Sequence, residues 1–254
     1  MSSIIRLFTE KQLNQGSNLI LSDKNQLHYL LSVMRVKVAE QIKLFNGQDG
    51  EWLAEIVSVA KNSIDLAVHT QLRKQQNSSD VWLIFAPIKN NKNSFIIEKS
   101  TELGVSKILP MLTSFTVVKD LNIDKMRLVA IEAAEQCERL DVPCLDEITT
   151  LAKLVKSFPS DRKIILCDER GRAAAINSFF PKLSCEEKYA IMIGPEGGFA
   201  PNELEMLRAL PFVLPISLGP RILRAETAII TALSCFQAYL GDFKQTERNI
   251  SVDR

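Results

Sequence analysis

Five short apolar runs recur along this chain with helical stretches between them: VWLIFA from Val81, KILPML from Lys107, KIILCD from Lys163, YAIMIG from Tyr189 and FVLPISL from Phe212. They are nearly continuous in hydrophobicity, without the polar residue at every second position that marks a strand with one face in water. They are also too short to be buried helices. Such runs suit strands covered on both faces, and the helices between them supply the cover, so the pattern predicts a parallel α/β sheet.

The residues before Val81 follow another rhythm. IIRLF reads as a strand, and SDKNQLHYLLSVM as a helix capped by Ser22 or Asp23, with Leu27, Leu30, Leu31 and Met34 on its apolar face. QIKLFNGQDGEWLAEIVSV then gives strand, turn and strand, and SIDLAVHT one strand more. The outline is a small, mostly β barrel, with a polar boundary at LRKQQNSSD, near residue 75. In the larger part, NSFIIEKSTEL predicts a helix with Ile96, Ile97, Ser100 and Leu103 on one side, ended by Gly104. A second helix is expected from Asp124, burying Met126, Val129, Ala130, Ala133, Ala134 and Cys137. RAETAIITALSCFQAYLG forms a long alanine-rich helix stopped by Gly241, and a polar tail follows over 246–254.

Composition excludes several classes. No apolar stretch reaches the length of a membrane span, and MSSIIRLFTEKQLNQG lacks the basic-then-apolar order of a secretory signal. The five cysteines (Cys137, Cys144, Cys167, Cys185, Cys235) are odd in number and contain no CxxC pair, which suits reduced thiols in the cytoplasm and provides no zinc motif. The histidines, His28 and His69, are too few for a histidine-rich metal site, so no metal is expected. A net charge of +1 argues against a general polyanion binder. Locally the balance shifts: residues 1–72 carry seven basic and seven acidic side chains, whereas 73–120 carry seven and four, with Lys89, Lys92 and Lys99 in the excess. Solvated loop lysines and an RNA track are both compatible with that excess.

Two segments stand apart as candidate chemistry. In YAIMIGPEGGFAPNEL a strand runs into Gly194-Pro195-Glu196-Gly197-Gly198, and Pro201 then suits the first turn of a helix. Glycines let a flat ligand approach the main chain, and the carboxyl ends of strands are where α/β proteins build pockets. Neither a Gly-x-Gly-x-x-Gly nor a Gly-Lys-Ser/Thr is present, which disfavours dinucleotide and nucleoside triphosphate sites. A tight structural turn and a small-molecule pocket both remain open on these residues alone. In PISLGPRILRAETAII another strand enters a glycine-proline turn, followed by Arg221, Arg224 and Glu226. The arginines suit an anionic substrate edge or a surface ion-pair cluster, and Glu226 suits chemistry or the positive end of a helix dipole.

GPEGGF at 194–199, LGPRILRAETA at 218–228, EKSTELGV at 98–105 and AIEAAEQCER at 130–139 together strongly resemble the RsmE family. HYLLSVMRVKVAEQIKLFNG is similar to that family's N-terminal region, so the resemblance spans nearly the whole chain. Two segments depart from the pattern: VKVAEQI lacks the usual Gly-Asp, and LTSFTVV lacks a Glu-Arg-Ser after the proline equivalent to Pro110.

The resemblance implies a PUA-like RNA-binding domain over 1–75 and a trefoil-knotted SPOUT methyltransferase domain over 76–245. It also implies a homodimer acting in the cytoplasm on 16S rRNA, within the 30S particle. The implied reaction is transfer of a methyl group from S-adenosylmethionine to N3 of the uridine at position 1498. By similarity, Gly194, Glu196, Gly197 and Gly198 line one side of the cofactor pocket. Leu218, Gly219, Ile222, Leu223 and Arg224 line the other. Arg221, Glu196 and Glu226 are the catalytic candidates, with Arg221 assigned to charge stabilisation and the base left open. Arg6, His28, Arg35, Lys89, Lys92 and Lys99 are the expected RNA contacts. Another RNA base, a ribose 2′-hydroxyl, or a non-catalytic assembly role remain as alternatives.

Overall fold

The structure is a computed structural model that describes residues 4–89, 92–168 and 173–244. The polar tail expected over 246–254 lies outside them. The described residues divide into two compact units, 4–77 with Glu138–Asp141, and Ser78–Cys137 with 142–244.

In the first unit, β1 (Ile5–Phe8), β2 (Asn18–Leu21), β3 (Gln41–Phe45), β4 (Glu51–Ala60) and β5 (Ser63–Arg73) form a sheet in the order β1-β3-β4-β5-β2. The pairings are antiparallel except for β1 with β3. The alternation along β5 does what its sequence predicts: Ile64, Leu66 and Val68 are buried among Leu7, Leu21, Ile42, Leu44 and Ile56. Asn46 makes the β3–β4 turn by accepting the amides of Gln48 and Asp49 at 2.9 and 2.8 Å. Asp23 caps α1 (Lys24–His28), accepting from the amides of Asn25 and Gln26. Regular α-winding stops there, and Tyr29–Met34 continues as a π-helical turn closed by Arg35 at φ 55°. The wider winding rotates the expected apolar stripe. Leu27 and Leu30 stay buried, while Met34, expected on the same face, is exposed.

In the second unit all strand pairings are parallel. β6 (Val81–Phe85), β7 (Lys107–Leu112), β8 (Cys144–Leu145), β9 (Thr149–Thr150), β10 (Arg162–Cys167), β11 (Ala174–Ala175), β12 (Lys188–Ile193) and β13 (Val213–Ser217) take the order β11-β13-β10-β12-β6-β7-β8, with β9 also on β7. The continuous apolar runs are explained by two separate cores. Along β6, Leu83 and Phe85 enter one and Ile84 the other; along β12, Ile191 and Ile193 divide from Ala190 and Met192 in the same way. Helices α2 (Lys92–Glu102), α3 (Ile123–Cys137) and α7 (Ala225–Tyr239) supply side chains to the first core. The short α4 (Leu151–Lys156) and α6 (Pro201–Arg208) supply them to the second. α5 (Ile176–Phe179) leads towards β12. In α3, Met126, Ala130, Ala133 and Ala134 are buried as expected, but Cys137, its last residue, is exposed.

Strand order is what positions the site. β12 is inserted between β6 and β10, so the chain that leaves it through α6 must pass over β10 to reach β13. The register pairs Leu166 with Met192 and Cys167 with Ile216, which places the carboxyl ends of β10, β12 and β13 side by side. In open parallel sheets, ligands bind outside such ends, where the strand order reverses.

Candidate active site

The loop after β12 is tight and braced from both sides. Gly198 donates its amide to the Pro195 carbonyl at 2.8 Å. A Cβ on Gly194 would stand 2.9 Å from Cε2 of Phe199, a buried ring, so no larger residue fits without displacing it. Pro201 opens α6 as expected. Glu203, two residues later, accepts the Ala200 amide at 2.9 Å with one carboxylate oxygen. Its other oxygen accepts the amide and hydroxyl of Ser114 at 2.8 and 2.9 Å. The segment that departs from the family pattern thus holds the first turn of α6 through Ser114, and Phe115 packs over Gly197.

The loop after β13 faces it. Gly219 adopts φ 114°, which an L side chain rarely tolerates, although the space around it is open; here backbone conformation, not crowding, calls for glycine. The chain is extended at Arg224, the residue before α7, whose carbonyl accepts the Ala228 amide at 2.9 Å. Between the loops lies an open cleft lined by residues of both.

Of the residues expected to hold a cofactor, Gly194, Glu196, Gly198, Leu218, Gly219 and Leu223 line this cleft, and Arg221 joins them. Gly197 and Arg224 do not line it. Ile222, expected to cover a ring, is instead 85% exposed. The cleft also contains residues that the sequence reading missed: Cys167 and Asp168 at the end of β10, Phe199, Leu204, and the first alanines of α7. Phe199 and the alanines fall within the motifs GPEGGF and LGPRILRAETA, whereas Cys167 and Asp168 are marked only by the strand ending KIILCD. Burial, with a smaller contribution from Cys235, pushes the Cys167 thiol up to about 12, so it is a neutral wall group. Asp168 is buried and ion-paired to Arg208, which approaches through Nη2 and, at 3.1 Å, through Nε.

Glu226 is not placed as a proton acceptor. Its carboxylate accepts from Lys92 Nζ at 2.5 Å. Desolvation raises its pKa, but the Lys92 hydrogen bond, its own backbone amide and the charges of Lys92 and Arg224 outweigh this and leave it below the ordinary value. A depressed carboxylate contributes stability that is present above its unfolded pKa and lost as pH falls through its folded one. Glu226→Gln is therefore expected to reduce stability at neutral pH and to lose that deficit in acid, while the pH dependence of turnover near neutrality stays unchanged. Thermal melts and rate profiles across pH check both; a lost acid limb in the rate profile would restore Glu226 as a base.

The expected RNA contacts separate into two groups. Arg6 is corrected: it is only 9% exposed, pairs with Glu51 at 2.6 Å, donates to the Arg139 carbonyl at 2.6 Å and lies 3.7 Å over the Phe45 ring. A guanidinium spent on an internal carboxylate and carbonyl is not offered to a phosphate. Lys92 is likewise engaged with Glu226, and Lys99 with Glu98 and Glu102, whose hydrogen bonds (Glu102 first) hold its pKa up. His28, Arg35 and Lys89 present exposed side chains, and the Lys89 amide donates to Glu196 at 3.3 Å.

Among the described residues, no three His, Cys, Asp or Glu side chains cluster to hold a metal ion, and no helix is long and apolar enough to cross a membrane. Residues 75–237 match the family model of an RNA methyltransferase domain, and 21–68 that of an RNA methyltransferase PUA domain. The chain is 35% identical to the ribosomal RNA small subunit methyltransferase E of Rickettsia conorii, covering 90% of this chain and 93% of that one. It is 31% identical to the protein of that name from Bacillus subtilis, over 89% and 92%. A Legionella pneumophila protein solved with the bound cofactor SAM superposes with a TM-score of 0.85 at 31% identity, over 94% of this chain and 99% of that one. The Neisseria gonorrhoeae ribosomal RNA small subunit methyltransferase E, bound to S-adenosyl methionine, gives 0.85 at 26% identity, over 95% and 100%. On the sequence match across almost its full length, this chain belongs to the RsmE family of ribosomal RNA small-subunit methyltransferases.

Proposed function

We propose that this chain transfers a methyl group from S-adenosylmethionine to N3 of the uridine at position 1498 of 16S rRNA. The observation that carries the reading is the single cleft formed by the Gly194–Gly198 and Leu218–Leu223 loops, in a fold whose relatives hold this cofactor. The residues present fit the group. Gly194 keeps the main chain uncovered for a planar ring, Leu218, Leu223 and Phe199 supply apolar walls, and Asp168 and Glu196 place carboxylates against a cation. When bound, S-adenosylmethionine supplies an electrophilic methyl group on a sulfonium.

The chain's own residues do the rest. Uridine N3 must lose its proton, and the negative charge then spreads over O2 and O4. The Arg221 guanidinium meets that charge with directed hydrogen bonds. Glu196 is the exposed carboxylate on the cleft and the better-placed proton acceptor, since Asp168 is held by Arg208 and Glu226 by Lys92.

The wider reading divides the chain into a PUA-like domain over 1–75 and a SPOUT domain over 76–245. The SPOUT reading includes threading of the C-terminal part into a trefoil knot, an exception to the usual avoidance of threaded connections. A cytoplasmic homodimer acting on the 30S particle completes the proposal, with exposed Ile222 available to a second copy or to RNA. His28, Arg35 and Lys89 are the basic groups retained for phosphate contacts.

The test is mass mapping of ribosomal RNA from a strain lacking the gene. One missing uridine methyl mark in 16S rRNA is expected, and a normal mark there would sink the assignment. Alkaline hydrolysis of product RNA separates this chemistry from ribose methylation, which alone protects the adjoining phosphodiester.

A further inference from the structure

We propose that Asp168 is the charge selector of the cleft: its buried carboxylate favours occupancy by the cationic methyl donor over the neutral thioether left after transfer. The inference rests on the cofactor reading above and goes beyond it, to how donor and spent product are told apart.

Among the described residues, the charged side chains that line the cleft are Asp168, Glu196 and Arg221. Glu196 and Arg221 are exposed, so water and salt screen them. Asp168 differs, with a side chain only 2% exposed, and its field acts through protein rather than solvent. Its position is fixed by strand pairing. The Asp168 amide donates to the Ile216 carbonyl at 2.8 Å, which extends the β10–β13 register by one residue and holds Asp168 at the carboxyl ends of these strands.

Burying a carboxylate here is expensive. Arg208, in the last turn of α6, compensates it, yet a packed apolar pair is often at least as stabilising as a buried ion pair. Stability therefore gives little reason for an acid at this point. The Arg208 side chain is 35% exposed, so solvent weakens the cation more than the anion, and the cleft feels a net negative wall. The two ligands differ in that property. The donor carries a sulfonium, an ammonium and a carboxylate, for one net positive charge, whereas the product lacks the sulfonium charge and is neutral. Apart from the volume of one methyl group, charge is the difference a cleft can read. A negative wall binds the donor more tightly and lets the product leave.

Calorimetric titration of the full-length protein with S-adenosylmethionine and, separately, S-adenosylhomocysteine tests this without reference to turnover. Asp168→Asn keeps the side-chain shape and removes the charge. Donor affinity should fall on the order of tenfold, and product affinity should change much less. Arg208→Met, which removes that one cation, should move the donor-to-product affinity ratio the opposite way, and Arg208→Lys should keep it near the wild-type value. Equal loss of both ligands in Asp168→Asn, or an unchanged ratio in both Asp168→Asn and Arg208→Met, would show a purely structural ion pair and overturn the proposal. Binding of neither ligand to the wild-type protein is a different outcome, which removes the cofactor reading itself and this proposal with it.

Discussion

Arg221→Lys is expected to lower turnover by about a hundred- to a thousandfold while leaving S-adenosylmethionine affinity nearly unchanged. Lysine keeps the positive charge but loses the planar fork that reaches O2 or O4 of a deprotonating uridine in fixed geometry. Cofactor affinity should survive because Gly194, Gly198, Gly219 and the apolar walls are untouched. Raising the pH should recover part of the lost rate, since a base deprotonated by solvent needs less help from the arginine. Single-turnover rates with saturating RNA across a pH series, alongside calorimetry, separate the two effects. Near-normal turnover at every pH would rule out the role and leave Arg221 as a surface residue.

Arg6→Met is expected to destabilise the first unit by about 3 kcal/mol, at the low end for breaking one half of a buried ion pair. Glu51 would stay behind, buried, with Arg73 Nε at 3.5 Å as its remaining cation. The lost contacts with the Arg139 carbonyl and the Phe45 ring add to the cost. Burial lowers the Arg6 pKa more than the Glu51 hydrogen bond and charge raise it, as expected for a desolvated guanidinium that relies on its partner. Hydrogen exchange of the β1 and β3 amides measures the loss within that unit. Pairing Arg6→Met with Glu51→Leu should recover much of it, because the uncompensated charge is then gone. Unchanged exchange in the single variant, with weakened RNA binding, would return Arg6 to the surface role its sequence suggested.

Much of this molecule is legible without coordinates because local physics decides it. The runs at Val81, Lys107, Lys163, Tyr189 and Phe212 are strands in the structure, each apolar on both faces because each faces two cores. Asp23 and Pro201 begin helices where their side-chain oxygen and fixed φ allow it. The two glycine-proline loops stand out because glycine between a strand and a helix answers a local demand, close approach at Gly194 and a positive φ at Gly219.

What the sequence could not show lies between residues far apart along it. The insertion of β12 between β6 and β10, which brings the two loops to one cleft, is set by pairing and not by any local pattern. Lys92 and Glu226, an expected RNA contact and a catalytic candidate, lie 134 residues apart, and Asp168 and Arg208, which the sequence did not single out, lie 40 apart; only the sheet brings each within reach of its partner. Arg6 reads as a surface cation because a strand's alternation says which residues share a face but not whether a buried carboxylate waits there. The sequence by itself determined the elements, the parallel class and the two loops, since propensity, capping and periodicity act over a few residues. Only the tertiary structure decided which charges neutralise one another and which remain to face a ligand, because Coulomb and desolvation terms depend on distance and burial in space.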